Sequence, residues 1–274
     1  MGISCRRCGQ AAAKLKGFRP IHDAAKEAKA DRESCQSLRE ERGDAMFDEL
    51  PLTAIILGIL MVEGTFTETA QRTKAGEERG AETVVLPAPT RVGHMSLEEA
   101  LARRRSVREF SAKPLAKEQL GQLLWAAQGT SHGDGLRTAP SAGALSPLEI
   151  YLATSAGFFH YDPVRHELQR RSDCDLRPEL HRAALVQEPV LKAPAVFIVT
   201  AVYERTIRKY GADRSPRYVH LEAGHAAQNL LLEAVALGLG SVPIGAFDDP
   251  LVQKVLSLPP EQQPIYLIPV GHPR

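Results

Sequence analysis

Arg103, Arg104, Arg105 and Arg108 crowd four guanidinium groups into six residues, with Ser106 among them. Like charges this close repel unless an anion offsets them, and guanidinium is the side chain best shaped to grip a phosphate through two parallel hydrogen bonds. A solvated helix end, where cations complement the helix dipole, is the plainer account of such a run. Two further stretches favour a ligand. Pro140, Ser141, Ala142 and Gly143 form a loop of small residues that opens into the apolar stretch Leu148–Tyr151, and small side chains let backbone groups approach a flat ring closely. Downstream, Gly238-Leu239-Gly240 leads into Pro243, Ile244, Gly245 and Ala246, where backbone N–H groups could donate to an electron-rich ring nitrogen. Each stretch alone is also compatible with an ordinary loop or strand end. Together they point to one cofactor carrying a phosphate and a flat ring.

A candidate base lies between them. In Tyr203–Gly211, Lys209 stands among Arg205, Arg208 and Arg214. Desolvation in such company would disfavour its charged form and make it a better proton acceptor. A solvated basic helix face is the alternative.

Several chemistries lack their signatures. There is no G-x-G-x-x-G in a strand–helix context and no phosphate-loop motif. Gly238 and Gly240 follow a helical pattern rather than a strand. No H-E-x-x-H occurs, and His220 and His225 lie five apart, off the spacing that places two zinc ligands on one helix face. Cys5 and Cys8 form a C-x-x-C pair with no second pair to complete a zinc site, so no metal is expected. A net charge of +1 implies no polyanionic partner, and a single tryptophan, Trp125, argues against a stacking platform for nucleic acid.

The elements that must position these residues are confined to the later part of the chain. Residues 1–45 are rich in alanine and charge and cannot bury a core, which predicts a disordered or helical extension. Residues 50–62 are uncharged and mostly apolar, shorter than the roughly 20 residues a spanning helix needs. A cytoplasmic protein is therefore expected, with export or membrane anchoring through 50–62 as the alternative, and with Met1 or Met46 as the start. Residues 63–82 read as a linker and 84–89 as an extended lead-in, which gives an extension over 1–94 and a folded domain over 95–274.

Within that domain Ser96 and Glu99 form a capping box. Helices are predicted from Leu97, over 117–128, over 176–187, over 217–239 and from Asp249; strands over 148–153, 158–161, 195–202, 241–246 and 264–271. The 217–239 helix is apolar nearly all round and is predicted to be buried. Its polar exceptions Glu222, His225, Asn229 and Glu233 share one stripe. Helices and strands do not alternate strictly, so the fold class is α+β.

From about Met95 to Arg274 the chain resembles the FMN-dependent nitroreductases, and within them the SagB-type dehydrogenases. The resemblance rests on Arg104-Arg105-Ser106-Val107-Arg108, the Thr138–Tyr151 loop and strand, Leu221–Leu230 and Gly238–Asp249, in that order. It implies a central mixed or antiparallel sheet flanked by helices. It also implies a homodimer with FMN sites shared across the interface, the 217–239 helix lying in that interface. Arg104, Arg105, Ser106, Arg108 and Arg274 match the phosphate and ribityl holders. Pro140, Ser141, Ala142 and Gly143 match the loop beside the ring, and Pro243, Ile244, Gly245 and Ala246 the strand facing its N5 edge. Lys209 and Tyr210 resemble the Lys–Tyr pair of the peptide-modifying branch. Ser146 departs from the tyrosine common in that branch. The implied activity is NAD(P)H-driven reduction of a nitroaromatic or quinone-like acceptor by hydride transfer through flavin N5. Azoline peptide dehydrogenation is one alternative, and a non-catalytic flavin-binding or interaction module another.

Overall fold

The computed structural model describes residues 82–131 and 135–274. The C-x-x-C pair, the 50–62 run and the predicted disordered or helical extension lie outside the described residues. In chain order the elements are β1 (Thr83–Val85), α1 (Leu97–Arg103), α2 (Lys117–Gln128), β2 (Leu148–Thr154), β3 (Gly157–Asp162), β4 (Glu167–Ser172), α3 (Arg177–Ala183), α4 (Glu188–Lys192), β5 (Ala195–Val202), α5 (Glu204–Tyr210), α6 (Ser215–Ala236), β6 (Gly240–Ser241), α7 (Asp249–Val255) and β7 (Gln262–Gly271).

The strands form one seven-stranded sheet in the order β1-β4-β3-β2-β5-β7-β6. All its strand pairs are antiparallel, so of the two expected sheet types the antiparallel one forms. β5 is apolar but for the buried Thr200 and is covered on both faces, as a central strand between two helix layers must be. On one face Leu123 and Leu124 of α2 pack with Val219, Ala223, Ala226 and Leu230 of α6. On the other, Leu180 and Ala183 of α3, Val190 of α4 and Val252 of α7 form a second cluster. No described helix is long and apolar enough to cross a membrane.

Local differences from the expected elements have physical causes. The 84–89 lead-in contains an edge strand: β1 pairs with β4, and Leu86 is buried in the core, so the folded domain reaches back beyond Met95. The helix predicted over 176–187 ends early, at Ala183, and a separate helix, α4, follows beyond the predicted span. Leu185 and Val186 take left-handed φ of 55° and 58°, and Pro189 opens α4. An unbroken helix would drive the Pro189 ring into the Leu185 carbonyl. The strand predicted over 241–246 shrinks to Gly240–Ser241, because Pro243 has no N–H to continue a ladder.

The long helix runs from Ser215 to Ala236, two residues earlier than predicted at its start, and Pro216 in its first turn suits such a start. It is not buried all round. Residues 215, 219, 222, 223, 226, 227, 230, 231 and 234 make the inner stripe, while His220, Leu221 and His225 are exposed. The polar stripe disperses accordingly: Glu222 is buried, and the Asn229 amide donates to the Thr138 carbonyl.

Candidate functional site

α1 begins at Ser96, whose hydroxyl accepts the Glu99 N–H at 3.1 Å. The Glu99 carboxylate pairs with Arg103 rather than closing the expected box. Arg103 is thus neutralised at the helix end, and the dipole account of the arginine run covers it alone. Beyond it the chain is extended. Val107 N–H donates to the Ser241 carbonyl at 2.9 Å, Ser111 N–H to His272 at 2.9 Å and Arg274 N–H to Glu109 at 3.3 Å. These bonds lay the arginine segment against β6 and the C-terminal strand and bring Arg274 beside Arg108. Gly240 makes the approach possible, because a Cβ there would stand 2.7 Å from the Val107 Cβ. Arg104 and Arg105 line a cavity of about 570 Å³ with Val235, Gly238, Leu239 and Pro273. Arg105, Ser106, Arg108 and Arg274 are exposed. Among the described residues none of Arg104, Arg105, Arg108 and Arg274 makes a side-chain ion pair or hydrogen bond. Two of these guanidinium groups, those of Arg104 and Arg105, line the cavity without partners, which fits a phosphate-bearing ligand.

Pro140–Gly143 belong to a second group. Gly143 has φ +63°, and a Cβ on it would lie 2.7 Å from the Lys209 Nζ and 2.8 Å from the Tyr210 hydroxyl. The two candidate catalytic residues, at the end of α5, therefore reach the candidate ring loop. Tyr210 leans on Tyr218 of α6, ring centroids 4.6 Å apart. Of the two readings of this segment the solvated one holds for Lys209: it is exposed, while Arg205 and Arg208 turn to Glu149 and Glu204.

The loop is strained. Ala144 and Ser146 have φ of 55° and 44°, a region costing about 1–2 kcal/mol for a residue with a Cβ. Both backbone polar groups of Ser146 are held. Its N–H donates to the Ser141 hydroxyl at 2.9 Å, and its carbonyl accepts from Arg205 Nη1 at 2.9 Å. The arginine is itself held by a carboxylate. Arg205 pairs with Glu149, which also accepts from His160 Nε2 at 2.7 Å. Burial opposes the charge on Glu149, but the His160 and Arg205 hydrogen bonds outweigh it and hold the carboxyl below its usual range. Nearby in α6, the buried Glu222 accepts the Gln128 amide at 3.4 Å. There burial wins: it pushes the Glu222 carboxyl up, against the hydrogen bond from Gln128 and the charge of Arg137.

Pro243–Ala246 divide. Ile244 is 5 % exposed, its side chain is in the second apolar cluster, and its N–H and carbonyl both pair with Leu267 at 2.8 and 3.0 Å. Both of its backbone groups are thus engaged by β7. Pro243 is half-buried and Gly245 and Ala246 are exposed; the Ala246 carbonyl accepts from Gln187. The cavity at the arginine segment includes neither this turn nor Pro140–Gly143.

Sequence reasoning missed the roles of Glu149, His160 and Gln128, and saw Glu222 and Arg205 without their partners. The one available signal was a glutamate on the otherwise apolar inner stripe of a helix. Among the described residues no cluster of His, Cys, Asp or Glu could hold a metal, and His220 is bonded to the Tyr203 hydroxyl.

The sequence pattern described as the nitroreductase family matches residues 101–272. A protein of Methanocaldococcus jannaschii named as a nitroreductase is 44 % identical over 66 % of this chain and 92 % of its own length. The trifolitoxin-processing protein TfxB of Rhizobium leguminosarum is 31 % identical over 47 % of this chain and 37 % of its own. A crystal structure of a Ralstonia eutropha protein named as a nitroreductase superposes with a TM-score of 0.63 at 30 % identity, covering 70 % of this chain and 90 % of that one.

Proposed function

Since the chain belongs to the nitroreductase family of oxidoreductases, we propose that it is an FMN-dependent member of the SagB-type branch. Its expected reaction is reduction of a nitroaromatic or quinone-like acceptor at the expense of NAD(P)H. The observation that carries this reading is the pairing of the arginine segment with β6 and the C-terminal strand, which sets Arg104 and Arg105 on one cavity and brings the Arg274 backbone against Glu109. When bound, the flavin supplies the two-electron redox chemistry at N5. The protein's part is to hold and orient. The guanidinium groups and the Ser106 hydroxyl grip the phosphate and ribityl chain, and the Pro140–Gly143 loop and the Pro243, Gly245 and Ala246 turn present backbone to the ring. The arginine cavity excludes both ring segments of its own chain, and a second copy would supply the loop. The functional unit proposed is thus a homodimer with shared sites.

One observation favours a second reading, azoline peptide dehydrogenation. That reaction needs a positioned proton acceptor, and Lys209 Nζ and Tyr210 Oη both reach the Gly143 loop. The partial likeness to TfxB supports the same reading.

The test is the visible absorption spectrum of the purified full chain, before and after anaerobic NADPH. Flavin bands that bleach with NADPH support the reductase. Bands that persist with NADPH but bleach with an azoline peptide support the peptide dehydrogenase. A chain that retains no flavin after soaking in FMN overturns both.

A further inference from the structure

We propose that Arg205 is a positioning residue: pinned to the sheet by Glu149, it clamps the Ser146 turn to α5, so that loop and helix move as one unit and Lys209 stays at Gly143. The use of that unit beside a bound ring rests on the flavin reading above; its geometry does not.

α5 meets the loop at two points. Arg205 Nη1 donates to the Ser146 carbonyl at 2.9 Å, and Lys209 Nζ stands 2.7 Å from where a Cβ on Gly143 would lie. Arg205 and Lys209 are four residues apart in the helix and therefore share a face. One face of α5 thus spans the loop from Gly143 to Ser146. A lysine stem is flexible and Lys209 is exposed, so it cannot fix that approach by itself.

The arginine can, because its guanidinium is held from the other side. Its Nη2 pairs with Oε1 of Glu149 on β2, and the other carboxylate oxygen, Oε2, accepts from Nε2 of His160 on β3 at 2.7 Å. With a partner on each oxygen the carboxylate cannot swing, and the Glu149 side chain is only 15 % exposed. A guanidinium is planar with its N–H groups at fixed angles, so aiming Nη2 at Glu149 also aims Nη1. The ion pair itself adds little stability, with the Arg205 side chain 42 % exposed. Its effect is direction. Ser146 needs that direction, because it sits at φ +44°, a conformation that reverts unless its surroundings over-determine it. Three bonds are internal to the turn: Ala144 N–H to the Ser141 carbonyl at 3.1 Å, Leu145 N–H to the Ala142 carbonyl at 3.4 Å and Ser146 N–H to Ser141 Oγ at 2.9 Å. The Arg205 bond ties the turn to another element. Glutamine at 149 would preserve the clamp, because its carbonyl oxygen can accept from Arg205 while its amide donates to the other tautomer of His160. Leucine would remove the acceptor and keep the volume.

The experiment is hydrogen exchange read by mass spectrometry on the full chain without added flavin. It compares the wild type, Arg205→Ala, Glu149→Leu, Glu149→Gln and the Arg205→Ala/Glu149→Leu double variant; Glu149→Met replaces the leucine variant if that one does not fold. The three internal N–H groups of the turn report its opening. The expected result is that the peptides spanning 141–147 and 204–210 both exchange about tenfold faster in Arg205→Ala and in Glu149→Leu, the loss of one charge-assisted hydrogen bond's worth of protection. The double variant should be no faster than Arg205→Ala, Glu149→Gln should match wild type, and β5 should be unchanged throughout. Wild-type protection in Arg205→Ala or Glu149→Leu, acceleration in one of the two peptides without the other, additive effects in the double variant, lost protection in Glu149→Gln, or faster exchange across β5 would each overturn the proposal. A parallel titration with FMN, read by fluorescence quenching, should find weaker binding in Arg205→Ala and Glu149→Leu and wild-type binding in Glu149→Gln. A wild type that binds no FMN would remove the flavin reading, while the exchange data would still decide whether Arg205 clamps the loop to α5.

Discussion

Lys209 Nζ lies 2.7 Å from the point a Cβ would occupy on Gly143, although the two residues are far apart in sequence. That contact ties the end of α5 to the small-residue loop, and it makes Gly143 doubly constrained, by its left-handed φ and by the lysine above it.

Gly143→Ala should therefore destabilise the protein by about 1–2 kcal/mol from backbone strain alone, and should displace Lys209 as well. Urea denaturation of Gly143→Ala with and without Lys209→Ala separates the two. The lysine truncation should relieve the contact and leave the backbone penalty. Full recovery in the double variant would show that φ at 143 is unimportant.

Arg105→Ala and Arg108→Ala should each weaken FMN binding about tenfold or more, the usual worth of a charge-assisted hydrogen bond, and more so at low salt. Riboflavin, which lacks the phosphate, should bind both variants as it binds wild type. Unchanged FMN affinity in both would remove the phosphate assignment.

Gly240→Ala should cost about 1–3 kcal/mol, because its Cβ would meet the Val107 side chain and push the arginine segment off β6. Val107→Ala should restore much of this stability, as read by thermal melting. No rescue would mean that the two strands are held apart by something else.

The two buried carboxylates should give opposite pH signatures. Glu149 is held below its ordinary value of 4.5, so its contribution is present above that pH and is lost as pH falls through the depressed folded value. Glu222 is raised above 4.5, so the folded state keeps a proton that the unfolded state releases, and stability falls as pH rises from 4.5 through the raised folded value. Unfolding free energies from pH 4 upward should show the acid limb flattened in Glu149→Gln and the alkaline-going loss flattened in Glu222→Gln. The reverse pairing would contradict both environments.

The reading of the sequence was strongest where the signal is local. Ser96 caps α1, Leu120, Leu123 and Leu124 recur at helical spacing in α2, and the β5 run is buried on both faces, because capping and periodicity depend on neighbours a few residues away. It was weaker where a single proline redirects the chain. Pro189 opens a helix of its own beyond the predicted one, which stops at Ala183, and Pro243 cuts a predicted strand to two residues. It did not foresee that the side chain of Ile244 joins the second apolar cluster while its backbone pairs with β7.

By itself, then, the sequence determined the α+β class, the family segments and their order, and the residue types able to hold a phosphate and face a ring. Only the tertiary structure decided which of them meet. The Ser146 turn is held by Arg205, 59 residues away, and the buried Glu222 meets Gln128 from 94 residues away. Such contacts exist only once the sheet has closed and α5 and α6 are packed in place, since hydrogen bonding and desolvation act over a few ångströms of space regardless of separation along the chain.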